Sequence, residues 1–234
     1  MKRLIVLFTV LALLLAGCGE EIPEADVSGK VEPTTEAATE AVTPAETPVS
    51  MGRMEGGTYT NEYAGYACDL DSSWIFYGAE ELQELPDNVK ELIADTEMAD
   101  VIGDVPQFTD MMAENVDLMA TVNALYQKHT MQERLGFTML SDEELIDSTL
   151  EQQEMMKEAY TQAGMDVESM ERVTVKFLGE DRVALRTVGT TAEIPFYMVQ
   201  IFDYHLGQYS VTLTVNSYLE DNTQQVLDLF YPVS

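Results

Sequence analysis

Residues 172–187 read RVTVKFLGEDRVALRT, two runs of alternating apolar and polar side chains on either side of Gly179-Glu180-Asp181. A period of two places successive side chains on opposite faces of a strand, and a glycine-containing turn between two such runs indicates a β-hairpin. The apolar positions of the two runs are Val173, Val175, Phe177, Val183 and Leu185. The stretch therefore predicts two antiparallel strands with one buried face.

Two more strand-like runs follow this hairpin. Ile194–Tyr204 is apolar on both faces, which is the pattern of a central strand covered on both sides. Gln208–Asn216 alternates again. Its expected inward residues are Val211, Leu213 and Val215, and its expected outward residues are Thr212 and Thr214. Because the connections between these runs are short, we expect neighbouring strands to pair antiparallel.

The chain before this sheet adds further strands. Thr58–Tyr63 and Tyr66–Leu70 flank a glycine-containing pair and predict a second hairpin, and Trp74–Tyr77 predicts another extended piece. Residues 108–128 are ambiguous, since their apolar side chains are also spaced for a helix.

The clearest helix is predicted at 142–163. Ser141 and Glu144 form a capping box at its start, and Gly164 ends it. Its expected buried stripe consists of Leu145, Thr149, Met156, Tyr160 and Ala163. Residues 80–95 predict one or two helices interrupted at Pro86, and residues from about 220 to 229 predict a short last helix.

These elements predict one α+β domain over residues 58–234, in which helices pack on the faces of an antiparallel β-sheet. A hydrophobic fraction of 46% is enough for one sizeable core at this length. Residues 18–57 are rich in Thr, Glu, Ala and Pro and poor in large apolar side chains, so we expect an acidic, disordered linker there.

Residues 1–17 have the pattern of an export signal. Lys2 and Arg3 precede the apolar core Leu4–Leu15, which is too short for a permanent membrane span, and small residues follow it. We therefore expect the protein to act outside the cytoplasm.

The net charge limits the partners that this chain can bind. Its 42 acidic against 12 basic residues give a formal net charge of −30. Nucleic-acid binding depends on basic side chains that neutralise phosphates, so we expect no nucleic-acid partner. Such a charge also favours a soluble monomer, and the most economical interpretation is a solvated acidic exterior.

The quartet Leu15-Ala16-Gly17-Cys18 resembles the lipobox of bacterial lipoproteins. The resemblance implies that Cys18 receives diacylglycerol and becomes the mature N-terminus. It also implies a protein anchored by lipid to the extracytoplasmic face of the cell membrane, with residues 18–57 as a spacer.

The order of elements over residues 58–234 resembles the PsbP-like fold. This fold occurs in an extrinsic photosystem II subunit, in a Ran-binding nuclear import factor and in small bacterial lipoproteins. The resemblance depends on the opening hairpin that leads to Trp74, the helix beginning at Ser141, the later strand series and a closing helix. It implies paired strands at 108–114 and 119–128, and it transfers no functional residues.

Lipidation of Cys18 leaves Cys68 without a disulfide partner. Alternation in Tyr66–Leu70 places the Cys68 thiol on the buried face of a strand, where a thiol is inert. A nucleophilic or redox role for Cys68 is therefore the weakest of the functional hypotheses.

Few other residues qualify as candidate sites. Asp69 and Asp71 imitate the start of a calcium loop, but that loop needs glycine at its sixth position, where this chain has Trp74. His129 and His205 have no second ligand at metal spacing, so we expect no transition-metal site and no cofactor. The methionines, among them Met119, Met131 and Met139, are expected to fill core space, with soft-metal binding or an adaptable apolar surface as the alternatives.

These observations favour a non-catalytic binding or scaffold module of the cell envelope with an envelope protein as its partner, because the sequence contains no recognisable catalytic motif. The alternative is a receptor for a small solute or a cation, with acidic loops such as 69–71 or 100–104 at its binding edge. An enzyme is the least favoured class.

Overall fold

The computed structural model describes residues 52–77, 82, 107–204 and 207–233. The export signal, the linker up to residue 51 and, apart from Leu82, the helices expected at 80–95 lie outside these described residues. The strands are β1 (Arg53–Glu55), β2 (Thr58–Asn61), β3 (Tyr66–Asp69), β4 (Trp74–Phe76), β5 (Gln107–Asn115), β6 (Ala120–Lys128), β7 (Met165–Phe177), β8 (Glu180–Thr191), β9 (Ile194–Asp203), β10 (Tyr209–Tyr218) and β11 (Phe230–Pro232). The helices are α1 (Met131–Phe137), α2 (Asp142–Glu151), α3 (Gln153–Gln162) and α4 (Thr223–Leu227).

The described strands form two antiparallel sheets in one domain. The larger sheet has the order β4-β5-β6-β10-β9-β8-β7, and the smaller has the order β1-β2-β3-β11. The prediction of one sheet was wrong, because the opening hairpin pairs with the last strand, where Phe230 lies opposite Cys68. The domain is consequently mostly β.

Two apolar cores lie on opposite faces of the larger sheet. On one face, β2 and β3 together with α4 pack against β6, β9 and β10. On the other face, α2 and α3 pack against β7, β8 and β9. The helix stripe predicted from the sequence is confirmed, since Leu145, Thr149, Met156, Tyr160 and Ala163 are all buried.

Both faces of the larger sheet are covered, and this explains one confirmed and one wrong prediction about its strands β9 and β10. Phe196 and Val199 of β9 are both buried, as expected for a central strand. Thr212 and Thr214 of β10 do not face water but are buried on the sheet face opposite Val211. The Thr214 hydroxyl has a polar neighbour there, since Gln200 Nε2 donates to Thr214 Oγ1 at 3.3 Å.

The helix predicted over 142–163 is two helices. Its start is as expected, because Ser141 and Glu144 form the capping box, and Gly164 follows its end with φ of 81°. The helix is interrupted at Gln152, whose φ of −96° and ψ of 10° lie outside the helical range. The helical alternative for residues 108–128 is wrong, since β5 and β6 pair there.

The turn between β7 and β8 differs from its sequence-based boundary, and a second turn joins β1 to β2. Leu178 and Gly179, both with positive φ, connect β7 to β8, so the turn precedes Glu180. β1 pairs with β2, and Gly56-Gly57 is the turn between them, so the first described strand lies before Thr58. Among the described residues, no helix is both long and apolar enough to cross a membrane.

Candidate functional site

Helix α1 follows β6 directly and was not predicted from the sequence. Thr130 accepts a hydrogen bond from the Glu133 amide, and the Glu133 carboxylate accepts one from the Thr130 amide at 2.6 Å, which forms a second capping box. None of the seven residues of α1 is buried. A Thr-x-x-Glu signal was present in the sequence, but the short helix that it starts lacks the apolar periodicity of a packed helix.

Aromatic contacts hold α1 to the end of the larger sheet. The Phe137 ring lies 4.6 Å from the Tyr204 ring and 4.8 Å, edge to face, from the His129 ring, measured between centroids. Tyr204 also stacks on Phe202 of β9 at 5.9 Å. These contacts position the helix although none of its residues is buried.

A cavity of about 420 Å³ opens beside α1, with Tyr204 and Gly207 also in its lining. We call it the α1 groove; it is lined by Met131, Arg134, Leu135, Thr138, Tyr204 and Gly207. Its volume lies within the range of small-molecule sites, and most of its lining side chains are apolar or aromatic. The Thr138 hydroxyl is already used, because it donates to the Leu135 carbonyl at 2.9 Å.

Exposed apolar side chains concentrate at this groove and the turn that follows α1. Four of the nine exposed large apolar side chains among the described residues lie within ten positions: Met131, Leu135, Met139 and Leu140. Met139 is 83% exposed and Met131 is 67% exposed. A cluster of this kind marks a candidate interaction surface.

His129 lies beneath α1 and is buried. Its Nε2 is 2.7 Å from Ser210 Oγ, and burial lowers its pKa despite the opposing effect of Glu133, whose carboxylate is 3.9 Å from Nδ1. The imidazole is therefore neutral at pH 7. Within the described part of the chain, no group of three or more His, Cys, Asp or Glu side chains converges as metal ligands would.

A second polar cluster joins the two sheets. Asp110 lies at the point in β5 where the pairing register with β6 shifts. Its carboxylate accepts hydrogen bonds from Tyr59 Oη, from Asn61 Nδ2 at 2.6 Å and from the Gly52 amide at 2.9 Å. Asn61 Nδ2 also lies 2.6 Å from Tyr126 Oη. Burial raises the pKa of Asp110, and these hydrogen bonds oppose the rise. Since Asp110 is only 4% exposed, the cluster acts as a buried connection between the sheets.

Three candidate residues proposed from the sequence, Cys68, Asp69 and Asp71, lie in the described part of the chain. Cys68 is a buried free cysteine, and burial together with Asp69 raises the pKa of its thiol to about 12. The Asp69 carboxylate accepts from Thr58 Oγ1 and Tyr231 Oη, and Asp71 accepts from the Ser73 amide. The structure thus does not bring Asp69 and Asp71 together with a third acidic side chain among the described residues.

Other candidates are divided between the core, the surface and the undescribed segments. Met111, Met112 and Met156 fill core space as predicted, whereas Met119, Met131 and Met139 are exposed. Cys18, His205 and the acidic segment 100–104 lie outside the described residues.

Comparison with models of protein families finds no match, and comparison with curated proteins finds no similar sequence.

Proposed function

We propose that the chain is a lipid-anchored, non-catalytic binding module of the extracytoplasmic face, and that the α1 groove is its binding surface. The anchor is supported by the resemblance of Leu15–Cys18 to a lipobox and by the export signal before it. The acidic linker supplies a spacer with a mean span on the order of 30–40 Å between membrane and domain. The resemblance to PsbP-like lipoproteins is consistent with this organisation.

The exposed apolar groove carries the binding part of the proposal. A chain with a net charge of −30 has abundant charged side chains for its surface, yet α1 exposes Met131 and Leu135 beside a 420 Å³ cavity. Contact with a partner or ligand would remove this apolar area from water, which is favourable by roughly 25 cal/mol for each Å². Methionine suits such a surface because its unbranched side chain adapts to different partners.

The non-catalytic part rests on the surroundings of the reactive groups. The Cys68 thiol is buried with a raised pKa, and the Asp110 carboxylate is enclosed between the sheets. A nucleophile or general base has to reach its substrate, and neither group is accessible in the folded chain.

The anchor is tested by fractionating cells that express Cys18→Ala. We expect this variant to leave the membrane fraction or to accumulate unprocessed, since it has no thiol to acylate. Cys68→Ala is the matched control and should fractionate as the wild type does. Retention and processing of Cys18→Ala at wild-type levels would refute the lipid anchor.

The binding surface is tested by methionine oxidation with hydrogen peroxide, on intact cells and on purified protein. An occupied groove should slow oxidation of Met131 in cells relative to purified protein. Met119 is an internal reference because it is 40% exposed and lies just before the first residue of β6. The helix α1 follows the last residue of that strand, so Met119 is at the opposite end of β6 from the groove. An unchanged ratio of Met131 to Met119 oxidation would contradict occupancy of the groove.

A receptor for a small solute is the second candidate, and the cavity volume favours it. Its cation version predicts that millimolar calcium raises the unfolding midpoint of the protein by mass action. An unchanged midpoint with calcium and other divalent ions would eliminate that version.

A further inference from the structure

The arginine of the α1 groove, Arg134, has no acidic partner among the described residues. Five of the eight basic residues in the described segments make ion pairs: Arg53, Lys157, Arg172, Lys176 and Arg186. Within the described segments, Arg134 makes no ion pair, and its Nε is buried without a hydrogen-bond acceptor. A guanidinium that lines a cavity without an anionic partner among the described residues carries an uncompensated positive charge there, so the position favours binding of an external anion.

The residues around Arg134 indicate which kind of chemical group is attached to that anion. Met131 and Leu135 are its neighbours on α1, and they line the cavity together with Tyr204. Lys128 and Arg182 also lack ion pairs in the described structure, but neither lines this cavity. The groove therefore combines one cationic head-group site with an apolar wall.

The volume of the α1 groove limits the size of the ligand that it can hold. A cavity of about 420 Å³ accommodates on the order of 14 non-hydrogen atoms, if each takes the roughly 30 Å³ that a water molecule occupies in the liquid. A saturated carboxylate of about ten to twelve carbons has this size. Because the groove is open to solvent, a shorter chain also fits.

We propose that the α1 groove binds an acyl carboxylate, with the Arg134 guanidinium pairing with the carboxylate and Met131, Leu135 and Tyr204 contacting the chain. Arginine suits this role because its planar guanidinium donates two parallel hydrogen bonds to a carboxylate. This proposal names the ligand class for the binding surface assigned above and therefore rests on that assignment.

The acidity of the whole chain does not oppose this ligand. Charges farther away than about 8 Å are largely screened at physiological salt. The neighbouring acid, Glu133, is engaged in the helix cap, where its carboxylate accepts from the Thr130 amide at 2.6 Å and from the Thr130 hydroxyl at 2.7 Å. Arg134 is the charged side chain among the described residues that line the groove, and it provides the local attraction for a carboxylate.

Decanoate is the probe, titrated below its micelle concentration into the chain from residue 19 onward, labelled with ¹³C at its methionine methyl groups. This chain retains every described strand and helix, which lie between Arg53 and Pro232. We expect saturable binding of one decanoate, with the largest shift at Met131 and none at Met112, which is buried elsewhere. Decanol, the neutral probe of equal chain length, should bind at least about tenfold more weakly.

Substitutions assign the head-group site. Arg134→Gln should weaken decanoate binding by about ten- to hundredfold, because a charge-assisted hydrogen bond is lost, and should leave decanol binding unchanged. Arg182→Gln is the matched control, since it removes an unpaired arginine from another site, and it should bind decanoate as the wild type does.

Three results would overturn the proposal: no decanoate binding, equal affinity for decanol, or unchanged binding by Arg134→Gln. If decanoate fails while Met131 is protected in cells, the ligand class is wrong and the binding surface stands. If decanoate binds but Met131 is equally oxidised in cells and in purified protein, the ligand chemistry stands and the assigned role in cells fails.

Discussion

The hydroxyl of Tyr59 donates a hydrogen bond to the carboxylate of Asp110, which lies 51 residues further along the chain. Tyr59 belongs to the smaller sheet and Asp110 to the larger one, so the contact joins the two layers inside their common core. Asn61 and the Gly52 amide donate to the same carboxylate. This connection holds the first described residues of the chain to the sheet that carries the α1 groove.

Replacement of Asp110 by asparagine should lower the free energy of unfolding by about 1–3 kcal/mol. Asparagine places an amide donor where the carboxylate accepts from Tyr59, Asn61 and Gly52, so at least one buried donor loses its acceptor. Denaturant unfolding measures the change. Asp117→Asn, at an exposed turn position, is the control and should be neutral. If Asp110→Asn were as stable as the wild type, the hydrogen bonds of Asp110 would not stabilise the fold as stated here.

The same carboxylate gives a pH dependence of defined sign. Burial raises the pKa of Asp110 in the folded state, so the folded chain binds its proton more tightly than the unfolded chain does. Its contribution to stability is therefore greatest below the unfolded pKa of about 3.9 and is lost as the pH rises through the folded pKa. The stability difference between wild type and Asp110→Asn should shrink from pH 4 to pH 7 in urea unfolding. A difference that grows over this interval would contradict the assigned direction.

Cys68 should react with thiol reagents only when the domain unfolds. The side chain is buried, and its pKa is raised to about 12, so little thiolate is present at pH 8. Labelling with Ellman's reagent should be slow in buffer and immediate in denaturant. Rapid labelling of the native protein would reopen a reactive role for this thiol.

The turn between β8 and β9 offers a stabilising change. Ala192 and Glu193 are exposed and both have positive φ, at 47° and 68°. Two-residue hairpin turns with this backbone prefer Asn-Gly, because both residues tolerate the left-handed region. The double variant Ala192→Asn, Glu193→Gly should raise the free energy of unfolding by about 1 kcal/mol. A lower unfolding midpoint than wild type would mean that the native side chains contribute more than the backbone conformation costs.

The sequence predicted those features that local patterns determine. Alternation located β7 to β10, and Ser141 with Glu144 located the start of α2, because these signals act within a few residues. It did not predict that β3 pairs with β11, since nothing near Cys68 specifies a partner at Phe230.

The site was less accessible to sequence reasoning for the same physical reason. Arg134 can be recognised as a candidate only when the structure shows that it lines a cavity. Asp110 can be recognised only when the structure places Tyr59 and Asn61 beside it. The structure explains why residue 52 is a glycine, because a Cβ at this position would overlap the Tyr59 ring. The sequence alone does not reveal this contact. Pairings between distant residues depend on the packed fold and leave no period in the sequence.

Photo-cross-linking from position 135 tests most directly whether the α1 groove is the binding surface of this chain. A photoreactive amino acid replaces Leu135, which is 61% exposed beside Arg134, and a matched variant carries it at Glu180, the exposed first residue of β8. On irradiation of intact cells, we expect a discrete adduct from position 135 and none from position 180. The adduct should disappear when Arg134→Glu is added. The same adduct pattern from both positions, or no adduct from position 135, would contradict a binding role for the groove.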